Sequence, residues 1–162
     1  MLIRDATEGD WPAIYPFFRE IVAAGRTYAY PEDLSSDEAR RYWMTDPPHR
    51  TIVATEGAVV LGTAAMGPNR PGRGSHVATA SFMVDPRWHN GGIGRAFGNE
   101  VIDWARREGY RSIQFKAVVE TNVAAMHLWQ ALGFEVLATV PQAFNHADHG
   151  LVGLHLMYRS LT

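Results

Sequence analysis

Val84-Asp85-Pro86-Arg87-Trp88-His89-Asn90-Gly91-Gly92-Ile93-Gly94-Arg95 joins an alternating run to a helical one. Upstream, His76 to Val84 reads as a strand. Downstream, Ile93, Phe97, Val101, Trp104 and Ala105 recur on one face of a helix from Gly92 to about Arg107. Glycine lets backbone amides approach a ligand closely. The first turn of a helix presents unpaired N–H groups and a partial positive charge. Strand, glycine turn and helix together suit a phosphate or pyrophosphate.

Three nucleotide readings compete, beside a purely structural turn. A P-loop needs Gly-Lys-Ser/Thr, which is missing. A dinucleotide fingerprint starting at Gly92-x-Gly94 needs glycine at Phe97, whereas the glycine present is Gly98. The third reading is coenzyme A.

The flanking sequence supplies the other elements. Leu2 to Arg4 reads as a strand. Thr7 and Pro12 open a helix carrying Ile14, Phe17, Phe18, Ile21 and Val22, and Gly25 closes it. Ser35-Ser36-Asp37-Glu38 caps a second helix through about Met44, stopped by Asp46-Pro47-Pro48. Strands follow at Thr51 to Thr55 and Val59 to Met66, joined by a Glu56-Gly57 turn. Gly67 to Gly74 is a long loop, a length that often carries function. Ser112 to Val119 is a strand, Asn122 to Leu132 a helix ended by Gly133, and Phe134 to Val140 and Leu151 to Tyr158 the last strands. The order is β-α-α-β-β-β-α-β-α-β-β, a mixed α/β chain with a central antiparallel meander and a crossover helix.

At 162 residues, 46% hydrophobic and 20% charged, the chain fits one globular domain, 1–162. A formal charge of -2 argues against nucleic acid as the main partner. Apolar stretches are too short for a membrane helix, and Arg4 and Asp5 interrupt the start, so no membrane partner and a cytoplasmic location are expected. With no cysteine there is no disulfide framework and no thiolate nucleophile. Asn145-His146-Ala147-Asp148-His149 has metal-capable side chains but equally the spacing of a polar turn, and no metal is expected.

A second segment, Asn122-Val123-Ala124-Ala125-Met126-His127-Leu128-Trp129-Gln130-Ala131-Leu132-Gly133-Phe134, changes the weight of the glycine turn. The two together resemble the GNAT superfamily of acyl-CoA N-acyltransferases. Its Gln/Arg-x-x-Gly-x-Gly/Ala motif is met by His89-x-x-Gly92-x-Gly94. Its Asn-x-x-Ala/Ser-x-x-Leu-Tyr-x-x-x-Gly-Phe motif is met from Asn122 to Phe134, with Trp129 in place of tyrosine. The resemblance implies a mixed sheet whose central antiparallel strands splay to admit coenzyme A.

It also implies roles. Amides of Asn90, Gly91, Gly92, Ile93, Gly94 and Arg95 would hold the pyrophosphate, with His89 at the motif's first position. Phe82, Met83 and Val84 would pair through their backbone with the pantetheine arm, one amide facing the thioester carbonyl. Asn122 would lie near that thioester; read from spacing alone it is equally a helix N-cap. Trp129 has no hydroxyl to protonate a leaving thiolate; it packs either against the coenzyme arm or simply in the core. The strand lacks the carboxylate that relatives often use as a base, leaving His76, or Thr79 and Ser81 through water. Acceptor recognition falls on Arg26, Thr27, Tyr28 and Tyr30 on one side, and on Phe144, Asn145 and His146 on the other. Arg26 would pair with a substrate carboxylate.

Residues 68–76 and 119–122 are similar to a narrower group acting on free amino acids or their toxic analogues, in which asparagine recurs where Thr79 stands. The expected activity is direct acetyl transfer from acetyl-CoA to the amine of a small molecule by a homodimeric enzyme. Alternatives are a non-catalytic acyl-CoA-binding or sensor domain, and a protein or peptide N-acetyltransferase.

Overall fold

A computed structural model of the chain describes residues 1–89 and 91–162; Asn90, named above for the pyrophosphate, lies outside the described residues. The elements are β1 (Leu2–Asp5), α1 (Trp11–Ala24), α2 (Ser36–Trp43), β2 (Arg50–Glu56), β3 (Val59–Pro68), β4 (Val77–Val84), α3 (Ile93–Arg107), β5 (Ser112–Val119), α4 (Val123–Ala131), β6 (Glu135–His146) and β7 (Gly150–Ser160). Their order is the one read from the sequence. The seven strands form one sheet, β1-β2-β3-β4-β5-β7-β6.

Every neighbouring pair is antiparallel except β4 and β5. These two run parallel because α3 crosses over between them. They pair only at Val77↔Ser112 and Ala78↔Ile113, then part. The splay therefore opens between parallel strands, where antiparallel ones were expected.

Each face of the sheet carries a core. On one, α3 and α4 bury Phe97, Val101, Trp104 and Trp129 against Ile52, Ala64, Ala78, Ile113 and Phe115, with Ala80, Phe82 and Val84 packed alongside. On the other, α1 and α2 bury Ile14, Phe18, Val22 and Trp43 against Val53 and Met83. β4 thus sends Ala80, Phe82 and Val84 to the α3–α4 face, while Thr79 and Ser81 alternate onto the face of Met83. Trp43 is fully buried, and its indole N–H is met by the Thr63 hydroxyl at 3.0 Å. That hydroxyl donates in turn to the Ile52 carbonyl, so a buried polar pair locks α2 onto β2 and β3.

Two boundaries that bear on the site move. β6 runs on past Val140 to His146, because Pro141 and Gln142 (φ 51°) are absorbed as a bulge between Val140 and Phe144. Phe144 and His146 are strand residues as a result. At the other end of the cleft strand, His76 falls outside β4.

The entry to α1 is held by charge. Arg4 on β1 grips both Asp10 carboxylate oxygens, at 2.8 and 2.9 Å, and the Thr7 N–H adds a third bond at 2.7 Å. The Arg4 hydrogen bonds outweigh the cost of burial and lower the Asp10 pKa to about 2. Unfolded, the group titrates near 3.9. Its contribution is therefore complete above about pH 4 and is lost as pH falls toward 2. Asp10→Asn is expected to cost on the order of 1–2 kcal/mol in urea unfolding at neutral pH, with the gap to wild type closing as pH drops below about 4.

Candidate coenzyme and acceptor site

α3 begins without a side-chain cap. Its N-cap is Gly92, at φ 75°, a left-handed conformation that favours glycine. The first-turn amides of Ile93, Gly94 and Arg95 consequently face outward. Gly94 is small for a different reason: a Cβ there would meet Leu128 of α4 at 3.1 Å. The preceding turn is braced by Asp85, which is buried, accepts from the Arg87 N–H at 3.0 Å and is gripped by the Arg87 guanidinium at 2.8 Å. Burial opposes ionisation of Asp85, but those bonds and the Arg87 charge prevail and lower its pKa. His89 donates from Nδ1 to the Pro86 carbonyl at 2.7 Å, so its ring fastens the turn.

The wedge between β4 and β5 opens beside this helix end. On the α4 side it is floored by Trp129, 6% exposed, whose ring lies 4.6 Å from Phe82 and 5.0 Å from Phe115, centroid to centroid. Trp129 is both a core aromatic and a neighbour of the β4 residue expected along the coenzyme arm. Asn122 caps α4 by accepting from the Ala125 N–H at 3.3 Å, which leaves its amide N–H₂ to serve a ligand.

The register shows which β4 groups face the wedge. Asp85 N–H bonds to the Leu61 carbonyl, and Val77 C=O accepts from Asn69 N–H. Odd-numbered β4 residues thus bond to β3, and the N–H and C=O of Phe82 point to the other edge. There both meet the Tyr28 hydroxyl, which accepts from Phe82 N–H at 2.8 Å and donates to Phe82 C=O.

The two acceptor segments meet. The Gly25 carbonyl accepts from Ala147 N–H at 2.9 Å, and Arg26 bonds Asp148 at 2.8 Å. Burial raises the Tyr30 pKa, against the opposing effect of the Ser81 side chain. Phe144 packs with Val119 and Val152, and the buried His146 accepts from Asp148 N–H at Nδ1, 3.0 Å, while stacking on His149 at 4.6 Å. Thr79 is half-buried on this same face. One expected role gains a partner and one is set aside. Arg26 is paired with Asp148, so recognition of a carboxylate falls to the pair. His76 is exposed, bonded through its carbonyl to Arg111 N–H, and six residues from Phe82, about 20 Å along an extended strand. It sits at the closed end of the wedge and is set aside as a base.

Sequence reasoning missed Asn69 and Gln114, paired at 3.4 Å, with the buried Asn69 Oδ1 lacking a partner among the described residues. Polar Gln114 between apolar Ile113 and Phe115 was the available signal. Among the described residues, no three His, Asp or Glu side chains gather as a metal centre would need, and no helix is long and apolar enough to cross a membrane.

Residues 12–134 match the acetyltransferase (GNAT) family. The chain belongs to that family. A GCN5-related N-acetyltransferase from Kribbella flavida superposes with a TM-score of 0.96 at 58% identity, covering 99% of this chain and 97% of that one. The putative acetyltransferase yncA of Salmonella typhimurium, solved with its cofactor acetyl-CoA, gives 0.84 at 28% identity over 100% and 94%. The L-amino acid N-acyltransferase MnaT of Escherichia coli K12 is 33% identical over 88% of this chain and 84% of its own. Two yeast relatives align with 56% and 51% of this chain but only 43% and 13% of their own length.

The uncapped helix end and the open wedge fit the pyrophosphate and arm of acetyl-CoA. Space in front of Gly92 is open, so a side chain there would lie across the amides. Gly92→Glu is expected to weaken acetyl-CoA binding at least about 100-fold by adding charge repulsion and φ strain. An unchanged dissociation constant in calorimetric titration would relocate the coenzyme.

Proposed function

We propose that the protein transfers the acetyl group of acetyl-CoA to the amine of an amino acid or amino-acid analogue, by direct attack. The observation that carries this reading is the wedge: β4 and β5 pair at two positions only, beside the uncapped end of α3. The amino-acid class is supported by the names of relatives such as MnaT, and by a further one named L-methionine sulfoximine/L-methionine sulfone acetyltransferase.

In this reading the Phe82 amide takes the thioester carbonyl and stabilises the developing oxyanion, a donor worth about 10²–10³ in rate. Asn122 steadies the arm from the other wall. Trp129, enclosed by Phe82, Phe115 and Phe134, supplies shape and no proton. The coenzyme leaves as a thiolate, which a thiol pKa near 8.5 permits. The amine proton leaves through water held by Thr79 or Ser81. The Arg26–Asp148 pair, one cation and one anion, suits an amino acid that carries both charges.

The test is acceptor-dependent release of coenzyme A thiol, followed with a thiol-reactive dye; the chain has no cysteine to interfere. Amino acids and their analogues should outpace peptides, and Arg26→Ala should raise KM for carboxylate-bearing acceptors. Preference for a peptide would favour a protein N-acetyltransferase. Binding of acetyl-CoA with no release for any acceptor would favour a coenzyme-binding sensor.

A cytoplasmic homodimer completes the proposal. β6 is an edge strand, and Leu137, Val140 and Leu151 are exposed on the β6–β7 pair. Sedimentation should give twice the 18.0 kDa chain mass. Leu137→Glu should shift it toward the monomer; a wild-type monomer at micromolar concentration would end that part of the proposal.

A further inference from the structure

Where β5 turns away, the N–H and C=O of Phe82 lose the neighbour that a sheet would give them. Buried backbone groups must be paired, and one side chain pairs both. The Tyr28 hydroxyl accepts from the N–H at 2.8 Å and donates to the C=O. A single hydroxyl thus stands in for a strand. It reaches the wedge from the α1–α2 face, between anchors on both sides. Arg26 is tied to Asp148, and Tyr30 is wedged against Phe18 and Trp43 at ring separations of 5.4 and 6.5 Å. The loop is pinned, and the Tyr28 ring lies between Tyr30, stacked at 5.9 Å, and Trp43, edge-on at 6.5 Å.

We propose that Tyr28 is a positioning residue that holds the Phe82 backbone in the strand conformation needed for catalysis and yields it to the arriving acetyl-CoA. This inference rests on the coenzyme reading above. The two backbone groups that Tyr28 caps are those the pantetheine arm and thioester carbonyl need. Hydroxyl and coenzyme compete for one N–H, so part of the binding free energy displaces Tyr28. The displaced ring turns toward the acceptor side, so coenzyme binding precedes and shapes acceptor binding. Tyr28 does not act as a base: burial raises its pKa well above that of an ordinary phenol, and it stays neutral.

The test is Tyr28→Phe, which keeps the stacked ring and removes the competitor. One hydrogen bond is commonly worth a factor of about two to ten in an equilibrium constant. Acetyl-CoA should bind Tyr28→Phe tighter than wild type by about that factor and associate faster, while KM for the acceptor rises. A merely structural hydroxyl predicts the opposite sign: weaker or unchanged coenzyme binding beside a lowered Tm. That result, with wild type binding normally, overturns the proposal. Failure of wild type to bind acetyl-CoA overturns the coenzyme reading and this inference with it. Should the variant not fold, 3-fluorotyrosine placed at position 28 gives a second reading. Its ¹⁹F resonance should move on adding acetyl-CoA to the intact protein, and a resonance that stays put overturns the proposal.

Discussion

A strand that loses its neighbour halfway along must find other partners for its backbone, and β4 is such a strand. Its first residues are paired on both sides; Phe82 has β3 on neither of its polar groups and β5 too far away. An unpaired amide in a protein interior is costly, so the opening persists only because the rest of the fold holds it. Phe82, Phe115 and Trp129 fill the α4 side with rings that keep the strands apart. Tyr28 fills the other side. The antiparallel partners of the two strands, β3 and β7, fix each wall independently.

The two cores divide the labour. The α3–α4 core carries the glycine turn and Asn122, and the α1–α2 core carries the aromatic loop with Tyr28 and Tyr30. β4 is shared, its side chains alternating between them. Ligands of different kinds can then approach the same strand from opposite faces without sharing a mouth, which suits a reaction in which two molecules meet at one backbone amide.

Much of this was legible in the residues. Helical periodicity, Gly25, Gly133 and the capping box at Ser35 placed the helices, and the two motifs around Gly92 and Asn122 placed the family. The splay was legible only through the resemblance, because no local pattern marks where Ser112 to Val119 stops pairing with its neighbour. Long β6 was not legible, since Val140-Pro141-Gln142 reads as a break and only the partner strand makes it a bulge. The Arg26–Asp148 pair spans 122 positions of sequence, a separation at which pattern reading is blind. His76 misled because strand spacing does not say which end of a strand opens.

Gly94 and Gly98 are one helical turn apart on the side of α3 that meets α4. A methyl at Gly98 would strike Leu132 at 2.5 Å and Trp129 at 3.0 Å, as one at Gly94 would meet Leu128. Two missing methyl groups therefore act as a spacer gauge. They set how near the uncapped end of α3 stands to the Asn122 turn, and with it the width of the slot that a ligand bridging the two must span. Larger residues at either position would recalibrate that width without touching a single atom of the ligand.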